Sequence, residues 1–346
     1  MSKSQTSFTV KNAEDKKSWD NFITSHPEAN FLQSWDFYEF HRSRGKKIVR
    51  RIFQNTKGEI SAAYAGVIET AKRGTHLAVA GGPIMDFSDS KLVNQVFADI
   101  KSEATKHRCV FVRVRPQIEY TEQNQQIFCD HHFKKAPMYL SVDHAGILDL
   151  TKDESEIKKN MRTRLKRALK KAEKYGIIVE KSTDSKNIET FYQIQLETAS
   201  RHHFVSFSQD FLQKQFAAFA PHDEAVLYTA KFDGKILAQN FMIFYGNEAS
   251  YHYGVSSALG TEMSGAPLLH LEAMRDARKR GIKRYNFWGI VPEDAKRHRF
   301  YGVSSFKRGF GVAELKYLPA QDLILNPAKY ILNWLVETAR RKLRHV

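Results

Sequence analysis

The stretch KRYNFWGIVPEDAKRHRFYGVSSFKRGFGVAELKY, Lys283 to Tyr317, decides how the rest of the chain is read. Arg284 to Ile290 alternates Tyr285, Phe287 and Gly289 against Asn286, Trp288 and Ile290. That run is too aromatic and too short for a helix, so a strand is expected, delivering its C-terminal end into a loop. The loop carries Lys296, Arg297, His298 and Arg299. In Phe306-Lys307-Arg308-Gly309-Phe310-Gly311, two glycines allow close backbone approach or positive φ, and two aromatics pin the segment while Lys307 and Arg308 project cations. Exposed lysine is the ordinary state of a surface, yet a strand end, a basic loop and a glycine-punctuated cationic segment in one place make this the expected seat of chemistry.

Outward from there, Gly146 to Leu150 reads as the opening strand of the same unit. Thr151 with Glu154 forms a capping box for the most basic helix in the chain. Its Ile157, Met161, Leu165, Leu169 and Ala172 recur at helical spacing as a buried stripe, with Lys158, Arg162, Arg164, Lys166, Arg167, Lys170 and Lys171 over the rest, until Gly176 stops it. Helices at Asn187 to His202 and Ser208 to Ala220 lead into strands at Ala225 to Phe232, Lys235 to Tyr245 and Ala249 to Val255, then a helix from Pro267 to Lys279. Upstream, a strand at Ser7 to Val10 and two helices ending at Ser25 and Gly45 precede strands at Lys47 to Gln54, Glu59 to Thr70 and His76 to Ile84. A helix from Ser88 to about His107, a strand at Cys109 to Arg115 ended by Pro116, and a helix to about Phe133 follow. The two stretches share an order of helices, antiparallel strands, then helix and strand. Domains are therefore expected at 1–145 and 146–319, with 320–346 returning to the first.

With 346 residues, 42% hydrophobic and 12% aromatic, the chain can bury two cores. Lys plus Arg is 54 against 38 Asp plus Glu, a net +16. Such a field attracts polyanions, whether RNA, a nucleotide pyrophosphate or an anionic membrane face, without choosing among them. Cys109 and Cys129 are the two cysteines and lack metal spacing, and neither a signal peptide nor an apolar run of spanning length is read, so a reducing cytoplasm is expected. No nucleophile motif is legible: Gly-x-Ser-x-Gly is missing and the fourteen histidines form no HExxH, which disfavours a covalent acyl-enzyme. The adjacent pairs His131-His132 and His202-His203 would point in different directions on a helix, so no metal is expected. Without phosphate-loop or dinucleotide glycines, no ATP-dependent ligation and no cofactor are expected either.

YNFWGI (Tyr285 to Ile290) followed by GVSSFKRGFG (Gly302 to Gly311) resembles the end of the second domain in the Fem-type aminoacyltransferases, which build peptidoglycan cross-bridges from aminoacyl-tRNA. MRTRLKRALKKAEKYGIIV, Met161 to Val179, is similar to that family's basic helix ending in a Gly turn. Phe31-Leu32-Gln33-Ser34 and Gly81-Gly82-Pro83-Ile84-Met85-Asp86 resemble its N-terminal signatures. The resemblance covers most of the chain and is specific as a set. It implies a mixed α/β fold of two acetyltransferase-like (GNAT-like) domains in tandem, related by duplication, without the helical-arm insertion of some members. The activity it implies is transfer of an amino acid from aminoacyl-tRNA to the stem-peptide amine of a peptidoglycan precursor, either lipid II or a UDP-linked muropeptide. The tRNA ester is already activated and the acceptor amine is the nucleophile, so positioning and oxyanion stabilisation suffice.

By the same resemblance Lys307 falls where the family carries a catalytically important lysine, with Phe306 packed beside it. Tyr253 of Tyr253-Gly254-Val255-Ser256 matches a substrate-contacting tyrosine. His41 or Arg42 lies near a cation that binds the precursor's pyrophosphate, and Arg308 and Arg113 complete the substrate-binding set. Arg164, Lys166, Arg167 and Lys170 of the basic helix are the residues for tRNA, or else a solvated charged face. The sequence departs from one family member at Phe207, where that member has an arginine, and at Arg115, where it has an acid. Two alternatives stay open. An acyl-CoA-dependent N-acyltransferase would use a pyrophosphate loop Q/R-x-x-G-x-G/A, whose letters Arg308 to Ala313 match, and a non-enzymatic RNA-binding protein is favoured by charge alone. A monomer is expected. After Pro327, Ile331, Trp334, Leu335 and Thr338 recur at helical spacing ahead of Arg340, Arg341, Lys342 and Arg344. This helix either lies on anionic headgroups at the inner face of the cell membrane or packs its stripe against its own domain.

Overall fold

The computed structural model describes residues 8–202 and 206–344, the side chains of residues 201, 202, 342 and 344 excepted. The chain forms two compact units, His144–Leu315 and Met1–Asp143 with Lys316–Val346. Of the expectations above, His202-His203 and Ser7 lie outside the described residues.

The unit His144–Leu315 is a seven-stranded sheet in the order Ala313–Lys316, His144–Asp149, Arg284–Gly289, Glu248–Ser256, Lys235–Tyr245, Ala225–Phe232, Ile178–Ser182. Glu248–Ser256 runs parallel to Arg284–Gly289. A parallel pair needs a crossover, supplied by the helices Ala258–Met263 and Gly265–Lys279. The second of these buries Leu268, Leu269, Leu271, Met274 and Ala277 in a core shared with Met242, Phe244, Tyr285, Phe287 and Phe310.

The basic helix is two helices. Glu154–Asn160 is capped by Asp153, whose carboxylate accepts from the Glu156 amide, and Thr163–Lys174 follows after extended backbone at Met161 and Arg162. Thr151 does not cap; its hydroxyl donates to Asp149. The cause of the break is tertiary: the Arg162 amide donates to the Gly309 carbonyl at 2.8 Å instead of to its own helix. The expected stripe is nevertheless buried throughout. Phe306 and Lys307 also differ from expectation, since they end a helix, Tyr301–Arg308, rather than sit in a loop. A Cβ on Gly309 would lie 2.8 Å from Leu165, and one on Gly311, at φ +79°, 3.0 Å from the Asn160 carbonyl oxygen. The two glycines are what let this helix end lie against the broken basic helix.

In the other unit the sheet order is Thr9–Asn12, Lys47–Gln54, Ile60–Ala71, Gly74–Gly81, Phe111–Pro116, Gln321–Ile324, Phe133–Lys135, with Ile84–Met85 pairing Ile60–Ala71. Gly74–Gly81 and Phe111–Pro116 are parallel across the helix Ser90–Lys106, repeating the crossover of the first sheet. Gln321–Ile324 enters from the distant end of the chain, antiparallel to both neighbours. Phe133 begins a short strand, and the preceding helix stops at Asp130. The stretches Phe31–Ser34 and Gly81–Asp86 meet here: the Gln33 amide donates to the Ala80 carbonyl at 2.7 Å and to Tyr38 at 2.8 Å, and a Cβ on Gly82 would collide with the Gln33 side chain. They lock a backbone corner.

Candidate active site

Hydrogen bonding between the parallel strands stops early. Register runs from Glu248 opposite Arg284 to Ser250 opposite Asn286, and that last pair is pinned by Glu248 Oε1, which accepts from Ser250 Oγ at 2.7 Å and Asn286 Nδ2 at 3.1 Å. Beyond it both strands turn irregular. Tyr251 pairs Met242 and Tyr253 pairs Phe241, leaving His252 as a bulge; on the other strand the register jumps between Asn286 and Gly289. Trp288 sits at φ +62°, its amide donating to the Asn286 side chain at 2.8 Å instead of to a ladder. A bulge and a left-handed non-glycine residue facing each other mark a place where the sheet is opened deliberately.

Lys307 bridges that opening. Its Nζ donates to the Gly289 carbonyl at 2.7 Å on one strand and lies 5.5 Å from the Tyr251 ring centroid on the other. The side chain is 6% exposed, and burial alone lowers its pKa to about 7, so near neutral pH the amine exchanges readily between ammonium and free base. Around it are Phe306, Phe287, Phe310 and His270, whose rings lie within 5.6 Å of one another's centroids where they touch the imidazole. His270 Nδ1 is 2.8 Å from Tyr285 Oη; burial, with the Lys307 charge adding to it, drives the imidazole down to about 3, so it stays neutral. Its Nε2 has no hydrogen-bond partner. The pocket thus holds one titratable cation in an aromatic wall.

Tyr253 reaches the same opening from the opposite face of the sheet. The bulge at His252 breaks the alternation that would otherwise keep residues two apart on one face, so Tyr251 packs toward His270, 4.5 Å away, and Tyr253 toward Phe241 at 5.8 Å and Phe207 at 5.5 Å. His252 stacks beside Tyr253 at 3.9 Å and meets Trp288 at 5.6 Å, its pKa lowered to about 3 by burial. Phe207, the position at which an arginine was noted as missing, is therefore adjacent to Tyr253. Lys307 and Tyr253 thus flank the same interruption of the strand ladder from opposite faces of the sheet.

Comparison with known proteins agrees with this architecture. The sequence model of the FemAB family matches residues 15–147 and that of an acetyltransferase (GNAT) domain matches residues 159–308. The chain is 23% identical to aminoacyltransferase FemB of Staphylococcus epidermidis, across 95% of this chain and 98% of that protein. It is 20% identical to the lipid II:glycine glycyltransferase of Staphylococcus aureus, across 90% and 92%. A crystal structure of FemX superposes with a TM-score of 0.86 at 18% identity, covering 94% of this chain and all of that one. These likenesses support a Fem-type peptidoglycan bridge aminoacyltransferase. A tandem GNAT protein from the clavulanic acid pathway, TM-score 0.57 at 10% identity, shares the two-domain fold.

The other sequence-predicted residues divide sharply. Arg308 is buried and engaged, its Nε on Glu314 and its Nη2 on the Val291 carbonyl, so it holds the 301–311 segment in place. Arg113 is likewise committed: two 2.7 Å bonds to Asp322 and one of 2.8 Å to Glu337 occupy its Nε and Nη2. Both side chains therefore have structural partners. His41 is half-buried between Phe37 and Phe40, each 4.8 Å away, and burial lowers it to about 4, so it is neutral and a poor anion ligand. Arg42 is exposed and pairs with Glu39 at 3.1 Å. On the basic helix Arg164, Arg167 and Lys170 point to solvent, while Lys166 donates to the Lys159 carbonyl at 2.7 Å across the break. Sequence reading missed Tyr251, His252, His270 and Trp288. Tyr251 lies two residues before Tyr253, so period-2 alternation would have placed both on one face; nothing local announces the bulge at His252 that parts them, or the left-handed Trp288. Among the described residues no group of three His, Cys, Asp or Glu is placed to hold a metal, and no helix is long and apolar enough to cross a membrane.

Proposed function

We propose that this Fem-type enzyme transfers an amino acid from aminoacyl-tRNA to the stem-peptide amine of a peptidoglycan precursor, with Lys307 as the catalytic residue. The observation that carries the reading is the buried Lys307 spanning the opening between the two parallel strands. The names of the FemB and lipid II:glycine glycyltransferase relatives support the reaction class and the precursor. Attack of the acceptor amine on the ester carbonyl forms the new N–C bond and places negative charge on the carbonyl oxygen. An ammonium with one N–H on Gly289 keeps two donors for that oxyanion. Collapse breaks the C–O bond to the terminal ribose, and the proton lost by the amine goes to the departing hydroxylate. Because the oxyanion raises the lysine pKa, the positive charge is strongest where the barrier is highest, which is the requirement for catalysis rather than mere binding. Tyr253 contributes to the acceptor side of that opening, and Arg164, Arg167 and Lys170 to the tRNA backbone.

The acyl-CoA alternative loses its basis. Arg308 to Ala313, the stretch whose letters fit a pyrophosphate loop, runs from the C-terminus of one helix into the strand Ala313–Lys316, whereas pyrophosphate needs the N–H-rich start of a helix. The test is to supply charged tRNA or acyl-CoA with a muropeptide acceptor and identify by mass spectrometry the group added to the amine. Aminoacylation from tRNA alone is expected; acylation from acyl-CoA alone refutes the proposal.

A further inference from the structure

The helix Pro327–Arg344 is oriented against its own amphipathicity. An amphipathic helix normally turns its apolar stripe to the core. Here Tyr330, Asn333 and Glu337 face inward: Tyr330 Oη donates to Asp322 at 2.7 Å, Asn333 Oδ1 accepts from Arg73 at 3.1 Å, and Glu337 accepts from Arg113 at 2.8 Å. The large apolar residues face out, with Ile331 59%, Leu332 54%, Trp334 43%, Leu335 53% and Leu343 81% exposed. At 3.6 residues per turn the first four occupy an arc of roughly 160°, and the face runs for about 18 Å from Ile331 to Leu343. A contiguous apolar face of this kind on a protein surface marks an interaction site.

We propose that this helix docks the protein on an anionic lipid bilayer, lying in the interface with Trp334 and its aliphatic neighbours toward the acyl chains. Charge chooses the occupant. Glu337 is the sole acid of the helix and is turned inward onto Arg113. Lys329, Arg340 and Arg341 are exposed, and helical geometry puts Lys329 and Arg340 along the Leu332 margin and Arg341 along the Trp334 margin, where headgroup phosphates would meet them. An apolar face carrying tryptophan and rimmed by cations is the composition of an interfacial helix. A second copy of this chain is a poorer partner, because a two-fold contact would bring these same cations together. Docking stands apart from the proposed reaction. Joined to it, and resting on that reading, docking selects the lipid-linked precursor over the nucleotide-linked one as acceptor.

Flotation at low salt with vesicles of phosphatidylcholine alone or with one third phosphatidylglycerol tests this. The protein is expected to float with the anionic vesicles only. Arg340→Gln with Arg341→Gln should lower partitioning about 25-fold, as about 1 kcal/mol per basic residue gives roughly fivefold each. Trp334→Ser with Leu335→Ser should abolish it, and since both side chains are exposed the fold is retained, which circular dichroism checks. Protein that stays in solution with anionic vesicles, or variants that float as the parent does, overturn the proposal. So does a sedimentation dimer that the Trp334/Leu335 variant loses, which would make a second copy the occupant. Aminoacylation of lipid II supplied in neutral detergent is the control: its absence in the parent counts against the reaction, whereas docking is read from flotation.

Discussion

Replacing Lys307 by methionine should make the protein more stable and nearly inactive. The side chain is 6% exposed and its pKa falls from 10.5 to about 7 through burial alone. At about 1.36 kcal/mol per unit, a drop of roughly 3.5 units corresponds to a cost near 5 kcal/mol for keeping the charged form in place. Methionine has similar length and no such cost, but leaves the Gly289 carbonyl without its donor, a penalty of about 1–3 kcal/mol. The net expectation is a gain of about 2–4 kcal/mol at pH 7. Its pH dependence is distinctive. Between pH 7 and 10.5 the unfolded chain holds a proton on this lysine that the folded chain has released, so the parent's stability rises with pH across that window while the variant lacks this component. The advantage of Lys307→Met should therefore be constant below pH 7 and shrink by about 1.4 kcal/mol per pH unit above it. Urea unfolding at pH 6.5, 8 and 9.5, with single-turnover transfer at each pH, reads both effects. Activity within a few-fold of the parent removes Lys307 from catalysis. A variant less stable than the parent at pH 7, or a stability difference that ignores pH, refutes the burial argument itself.

Arg113→Leu should destabilise by about 3–5 kcal/mol, because Asp322, fully buried, and Glu337 lose their shared cation; denaturant unfolding measures it, and a loss of activity without loss of stability would instead make Arg113 a substrate ligand. Neutralising Arg164, Arg167 and Lys170 to glutamine should weaken tRNA use and lower the slope of log K against log salt by about 2, at about 0.7 per phosphate contact on single strands. An unchanged slope by filter binding assigns that face to solvent. The same triple variant should leave the thermal midpoint within about 2 °C, since these side chains make no buried contact.

How much of this was legible follows from where the deciding contacts lie in the chain. The apolar, β-branched and aromatic runs Lys47 to Gln54 and Lys235 to Tyr245, set off by turn residues, are local properties, and both strands appear at the expected bounds. Lys307 was legible through resemblance, since composition treats every lysine as surface and the atoms that bury this one come from Gly289 and Tyr251, 18 and 56 positions away. The break at Met161 and Arg162 escaped because the capping box at Thr151 and the unbroken apolar stripe both argue for continuity, while the competing acceptor, the Gly309 carbonyl, is remote. The helix Pro327–Arg344 shows the principle most plainly. Its stripe was visible, but which side of it faces the protein is set by Arg113. Once that guanidinium is buried on the sheet beside Asp322, a charge there is tolerable only if further acceptors close around it, so Glu337 must turn inward and Tyr330 with it to satisfy Asp322. On a helix, fixing those two residues inward leaves Ile331, Trp334 and Leu335 nowhere to point but out. The exposed apolar face is thus the consequence of a buried ion pair.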